Sequence, residues 1–118
     1  MNFSKETEQK IQQLQLMEQN IQQIITKKQD FQAKIMEIDS ALEELKNSEV
    51  AYKIVGNIMV LSEKPSLEES LKSEKETLEL RIKMLEKQEE KLREKIKNIQ
   101  NQVLQEMKES NDKKGDEK

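Results

Sequence analysis

The chain has 118 residues, of which 38% are charged, 33% apolar and 3% aromatic, with two Gly, one Pro and no His, Cys or Trp. This length holds at most one ordinary domain, and so little apolar material cannot offset the entropy of ordering a compact globule; the scarcity of Pro and Gly, beside abundant Glu, Lys, Gln, Leu and Ile, favours long helices over disorder. Without His and Cys the usual zinc, haem and iron–sulfur ligands and the Cys–His and Ser–His–Asp nucleophiles are missing, and a net charge of −3 with interspersed signs leaves no basic stripe for nucleic acid.

The first element is read from an apolar seam. Alternate steps of three and four residues visit Leu14, Met17, Ile21, Ile24, Lys28, Phe31, Ile35, Ile38, Leu42 and Leu45, all apolar except Lys28. Sustained over several heptads without Gly or Pro, this spacing predicts a coiled-coil helix over about residues 5–46. Extrapolated backwards, the seam reaches Lys10, Thr7 and Phe3, so it weakens towards the N-terminus.

Helix-forming composition stops in the connection. Tyr52, Lys53, Ile54 and Val55 precede Gly56-Asn57, and Ile58, Met59, Val60 and Leu61 follow it. β-Branched and apolar residues around Gly-Asn predict a hairpin at about 52–61 with a two-residue turn that needs positive φ. Val55 then faces Ile58, Ile54 faces Met59, Lys53 faces Val60 and Tyr52 faces Leu61. Both faces of this hairpin are mainly apolar, so the pattern leaves a register shifted by one residue open as well, and an isolated two-stranded hairpin is marginal in water. Edge-to-edge pairing with hairpins of other chains, closing a sheet or barrel, removes the open edges and buries the apolar faces. The sequence therefore argues for an oligomer with a β-built hub.

After Pro65, with Ser66 as N-cap and Glu69 completing a capping box, a second helix is expected over about 67–109. Its seam is Leu71, Lys75, Leu78, Ile82, Leu85, Glu89, Leu92, Ile96, Ile99 and Val103. Two helices of about 42 residues, each on the order of 63 Å at 1.5 Å per residue, joined by a short connection, must run antiparallel and zip their seams together. Pairing outward from the connection sets Lys28 roughly level with Leu85 to Glu89. Either Lys28 and Glu89 meet across the seam and pin its register, or both reach out to water. Residues 110–118 are polar and aperiodic, and are expected to be a disordered tail; residues 1–109 form a single unit.

The fold class read from these elements is mainly α: a long antiparallel two-helix coiled coil with one central β-hairpin. The carboxylates lie along solvated helical faces, and Gly56 and Gly115 cannot build a phosphate-binding loop, so no enzyme, cofactor or metal site is expected. The longest apolar run, Ile58 to Leu61, is too short for a membrane span, and a cytoplasmic protein is expected. At the helix ends remote from the hairpin, apolar residues leave the seam: Ile11 and Leu16 on the first helix, Leu104 and Met107 on the second, with Phe3 further out. They read either as ordinary frayed ends or as an adaptable sticky surface.

The arrangement resembles prefoldin, in particular the archaeal β class, over roughly residues 8–107. The resemblance rests on Gln22-Gln23-Ile24-Ile25-Thr26-Lys27-Lys28-Gln29, on Ala41-Leu42-Glu43-Glu44-Leu45 and above all on Tyr52-Lys53-Ile54-Val55-Gly56-Asn57-Ile58-Met59-Val60. Glu76-Thr77-Leu78-Glu79-Leu80-Arg81 and Glu86-Lys87-Gln88-Glu89-Glu90-Lys91 of the second helix add to it. The single hairpin matches the β class, since the α class carries two. The resemblance implies a hexamer of two α-class and four β-class subunits whose hairpins form a β-barrel platform. It implies an ATP-independent chaperone whose coiled-coil tips hold unfolded proteins and pass them to a group II chaperonin. Client contact is then expected at Phe3, Ile11, Leu14, Leu16, Ile99, Val103, Leu104 and Met107. The competing reading is a structural coiled-coil tether for one folded partner, which has no need of the hairpin.

Overall fold

The computed structural model describes residues 4–116. Helix α1 spans Lys5–Lys46, strand β1 Ala51–Val55, strand β2 Ile58–Ser62 and helix α2 Lys64–Asp116. The chain divides into two compact units. One joins α1 up to Thr26 to α2 from Glu86 onward, and the other is Lys27–Leu85, which holds the hairpin.

Helix α1 begins at a polar cap. Ser4 Oγ accepts from the Thr7 amide at 3.1 Å, which satisfies one of the four orphan amides of the first turn, and the Ser4 carbonyl accepts the first helical bond, from the Glu8 amide at 3.0 Å. The helix ends by tightening. The amides of Asn47 and Ser48 donate three residues back, to Glu44 and Leu45, and the Ser48 hydroxyl donates to the Glu44 carbonyl at 3.0 Å.

Helix α2 starts earlier than Ser66. The Leu67 amide donates to the Glu63 carbonyl at 3.0 Å, which makes Lys64 the first helical residue. Pro65 lies inside the first turn, where its missing N–H leaves nothing unsatisfied. Ser66 is therefore helical, and the expected capping box does not mark the start. The backbone also remains helical beyond Ser110 to Asp116, through the segment for which the sequence gives no period. Propagation from an existing helix fixes one residue per added hydrogen bond and needs no new nucleus.

The seam is where the sequence puts it. Within the first unit Ile21, Ile24, Ile96 and Val103 are buried, and within the second Ile38, Leu45 and Leu78 are, together with Ala51 at the start of β1. The other seam positions, including Lys28, Lys75 and Glu89, are half-buried. Cross-helix contacts show the antiparallel sense inside each unit. Thr7 and Lys10 meet Glu106 in the first. In the second Asp39 meets Lys75 at 2.6 Å, and the Arg81 guanidinium lies 6.0 Å from the centre of the Phe31 ring.

Candidate functional site: the hairpin and the ends of the helices

Two surfaces stand out. The first is the hairpin. Its register is the one the turn dictates: Tyr52 opposite Leu61, Lys53 opposite Val60, Ile54 opposite Met59 and Val55 opposite Ile58. Gly56 has φ of +62° while no described non-glycine residue has positive φ, so the turn follows the II′ pattern, with Gly first and Asn57 in ordinary conformation. A Cβ at Gly56 would meet no atom, so its backbone angle alone demands glycine.

Tyr52, Ile54, Met59 and Leu61 share one face, and Lys53, Val55, Ile58 and Val60 the other. All seven large apolar side chains of these two faces are 47–70% exposed. Fully burying such a side chain is worth about 1.5–3 kcal/mol, so each retains on the order of 1 kcal/mol of unused burial. The sheet has two strands, so its two outer edges carry unpaired backbone groups as well.

The second surface is the end of the first unit, where α1 begins beside the late part of α2. Leu14 and Ile99 are half-buried and Val103 is buried, because all three are seam residues that face the opposite helix. Leu16 and Leu104 are exposed, and Ile11 and Met107 half-buried. Phe3 lies outside the described residues. By heptad position Ile11 and Met107 are both e and Leu104 is b. In an antiparallel pair e faces e, so these three share one flank, while Leu16, at c, falls on the other. Along the same flank runs an open groove of about 980 Å³, bordered by Ile25 and Ile96 and by the amide side chains of Gln15, Gln22 and Gln100.

Past Val103 the seam turns polar. Thr7 is 3% exposed, the most buried polar side chain described. Its hydroxyl donates to Glu106 Oε2 at 2.6 Å, so its contact with Ser4 at 2.8 Å has Ser4 as the donor. Lys10 Nζ donates to Glu106 Oε1. The Lys10 ammonium and then the Thr7 hydroxyl hold the Glu106 carboxyl below its usual pKa. This network was legible only in part. Backward extrapolation of the first seam named Thr7 and Lys10, but the second seam ended at its last apolar residue, and one further step of three lands on Glu106.

Lys28 and Glu89 belong to different units. Glu89 accepts from Arg93, one turn on, at 2.9 Å. Lys75, also on the seam, meets the Asp39 carboxylate of the opposite helix. Its hydrogen bond to Asp39 raises its pKa above the usual lysine value. Asp39 flanks the seam, and a search restricted to seam positions passes over it. Among the described residues no group of acidic side chains is placed to hold a metal ion, and no helix is long and apolar enough to cross a membrane.

Comparison with known proteins agrees with this architecture. A family profile described as prefoldin subunit matches residues 8–111. The prefoldin subunit beta of Archaeoglobus fulgidus is 40% identical over 94 residues, covering 77% of this chain and 81% of the relative. That of Methanospirillum hungatei is 35% identical over 109 residues, covering 90% and 91%. The crystal structure of the prefoldin beta subunit from Thermococcus strain KS-1 superposes with a TM-score of 0.78 at 34% identity, covering 86% of this chain and 92% of that one. Two long helices, a single hairpin between them and this set of relatives lead to one conclusion: the chain belongs to the prefoldin family, as a subunit of its β class.

Proposed function

We propose that the chain is a subunit of a cytoplasmic, ATP-independent chaperone that holds unfolded proteins and passes them to a group II chaperonin. Its hairpin joins those of α-class and other β-class subunits in a β-barrel platform, in a hexamer of two α and four β chains. The observation that carries this reading is the hairpin. Apolar side chains exposed on both faces, with two open edges, are a loss for a lone chain and a gain for a shared barrel.

Client contact falls to the ends of the helices. Ile11, Leu104 and the unbranched, flexible Met107 offer apolar groups on one flank, with Leu16 on the other. Phe3, Leu14, Ile99 and Val103 complete the expected set, the last three only when the seam opens. The groove on the Ile11 flank adds primary amides, which donate and accept, and so suit the main chain of an extended polypeptide whatever its sequence. Such contacts are weak singly and gain strength when several subunits engage one client.

The test is to dilute a chemically denatured protein into the assembled chaperone without nucleotide. The reading predicts suppressed aggregation at stoichiometric amounts, lost when residues before about 16 and after about 99 are removed while the oligomer survives. Unchanged aggregation with the full chain overturns it.

A further inference from the structure

Within the first unit the seam buries Ile21, Ile24, Ile96 and Val103, and its outermost described layer is built differently. There a buried threonine, a lysine and a glutamate close the helix pair, and Glu106 is the common partner: one carboxylate oxygen takes Thr7, the other Lys10. The layer just inside it contains Val103, which is buried, and half-buried Leu14 and Ile99 follow. These apolar groups are chemically suited to an unfolded client, yet they face the opposite helix.

We propose that Glu106 is a positioning residue for client capture. Its clasp on Thr7 and Lys10 keeps the end of the first unit closed, and release of the clasp turns Val103, Leu14 and Ile99 from seam to binding surface. The inference rests on the client-binding reading above. The structural grounds are independent of it. A closure made of one ion pair and one hydrogen bond, with the Lys10 and Glu106 side chains each 27% exposed, is weakened by salt and competes with water, whereas the apolar layers that follow are not. The end of the pair is therefore weaker than the apolar layers next to it, and it lies against the surface that a client needs. Helix ends open locally at low cost, and one carboxylate with two partners on the opposite helix sets that cost.

Glu106→Ala removes the clasp without touching the hairpin. Amide exchange in the full, assembled chain should then quicken about threefold to tenfold over residues 5–17 and 99–107, the range expected for losing a partly exposed, solvent-screened ion pair and its hydrogen bond, and stay unchanged in the hairpin. Binding of a urea-denatured, fluorescently labelled globular protein should tighten about threefold. Lys10→Glu should behave likewise. Lys10→Glu combined with Glu106→Lys, which restores opposite charges, should bring both exchange and binding back towards the unsubstituted values, a recovery that general damage to the helix would not give. Exchange that ignores Glu106→Ala overturns the clasp. Faster exchange with unchanged or weaker client binding overturns its link to capture. Should the unsubstituted assembly bind no client while exchange responds as described, the client-binding reading itself is overturned, and the link to capture falls with it.

Discussion

At the scale of single residues, the consequences follow from burial. Leu78 and Leu80 lie two positions apart on α2, the first 5% and the second 62% exposed. Leu78→Ala leaves a gap in the seam and should cost about 2–5 kcal/mol, whereas Leu80→Ala should stay within about 0.5 kcal/mol, as read from urea unfolding of the assembled chain. The Lys10–Glu106 and Lys75–Asp39 pairs give opposite pH dependences. The pKa of Glu106 is lowered in the folded chain, so its contribution is present above the ordinary carboxylate value of 4.5 and fades as the pH falls through the folded value. The pKa of Lys75 is raised by Asp39, so its contribution is present below 10.5 and fades as the pH climbs through the folded value. Thermal melts of Glu106→Gln and Asp39→Asn should each differ from the parent at pH 7. Glu106→Gln should converge with the parent in strong acid, and Asp39→Asn in strong base. A difference that persists unchanged across the whole range would mean that charge is not the cause. Both pairs are partly exposed, so both differences should shrink in high salt.

At the scale of elements, helices and hairpin were legible for different reasons. The helices show through the seam, because an apolar residue every three or four positions has one structural use in a chain with so little apolar material. The hairpin and its turn follow from Gly56-Asn57 between apolar runs, but apolar residues on both faces left a one-residue slip open, and the structure places Gly56 and Asn57 in the turn with Val55 opposite Ile58. The start of α2 was less legible, since Pro65 suits both a connection and a first helical turn, and only the bond from Leu67 to Glu63 decides between them. Thr7, Lys10 and Lys75 fall on the seam, but their partners Glu106 and Asp39 were hidden because hydrophobic periodicity carries no information about which polar groups meet. At the turn, Gly56→Ala forces a side chain into positive φ, at a cost of about 1–2 kcal/mol. Nothing crowds the position, so the defect should be confined to the turn, with helical circular dichroism retained and self-association weakened. Full retention of assembly would show that the turn angle does not govern it.

At the scale of the whole molecule, the distribution of apolar residues is the organising fact. A chain that is 33% apolar spends part of that allowance on a narrow seam and concentrates another part in two five-residue strands that leave nearly all of it exposed. Family membership gives this exposure a use, since prefoldin subunits are partners in an oligomer. The account therefore turns on the hairpin being a shared core, and the mass of the full chain in solution by light scattering, measured alone and with an α-class partner, tests it most directly. The prediction is a complex several times the 13.9 kDa of one chain when the partner is present, reduced to subunits by Ile54→Asp combined with Ile58→Asp while helicity stays largely intact. A mass of 13.9 kDa with and without the partner, or a complex indifferent to both substitutions, would contradict it.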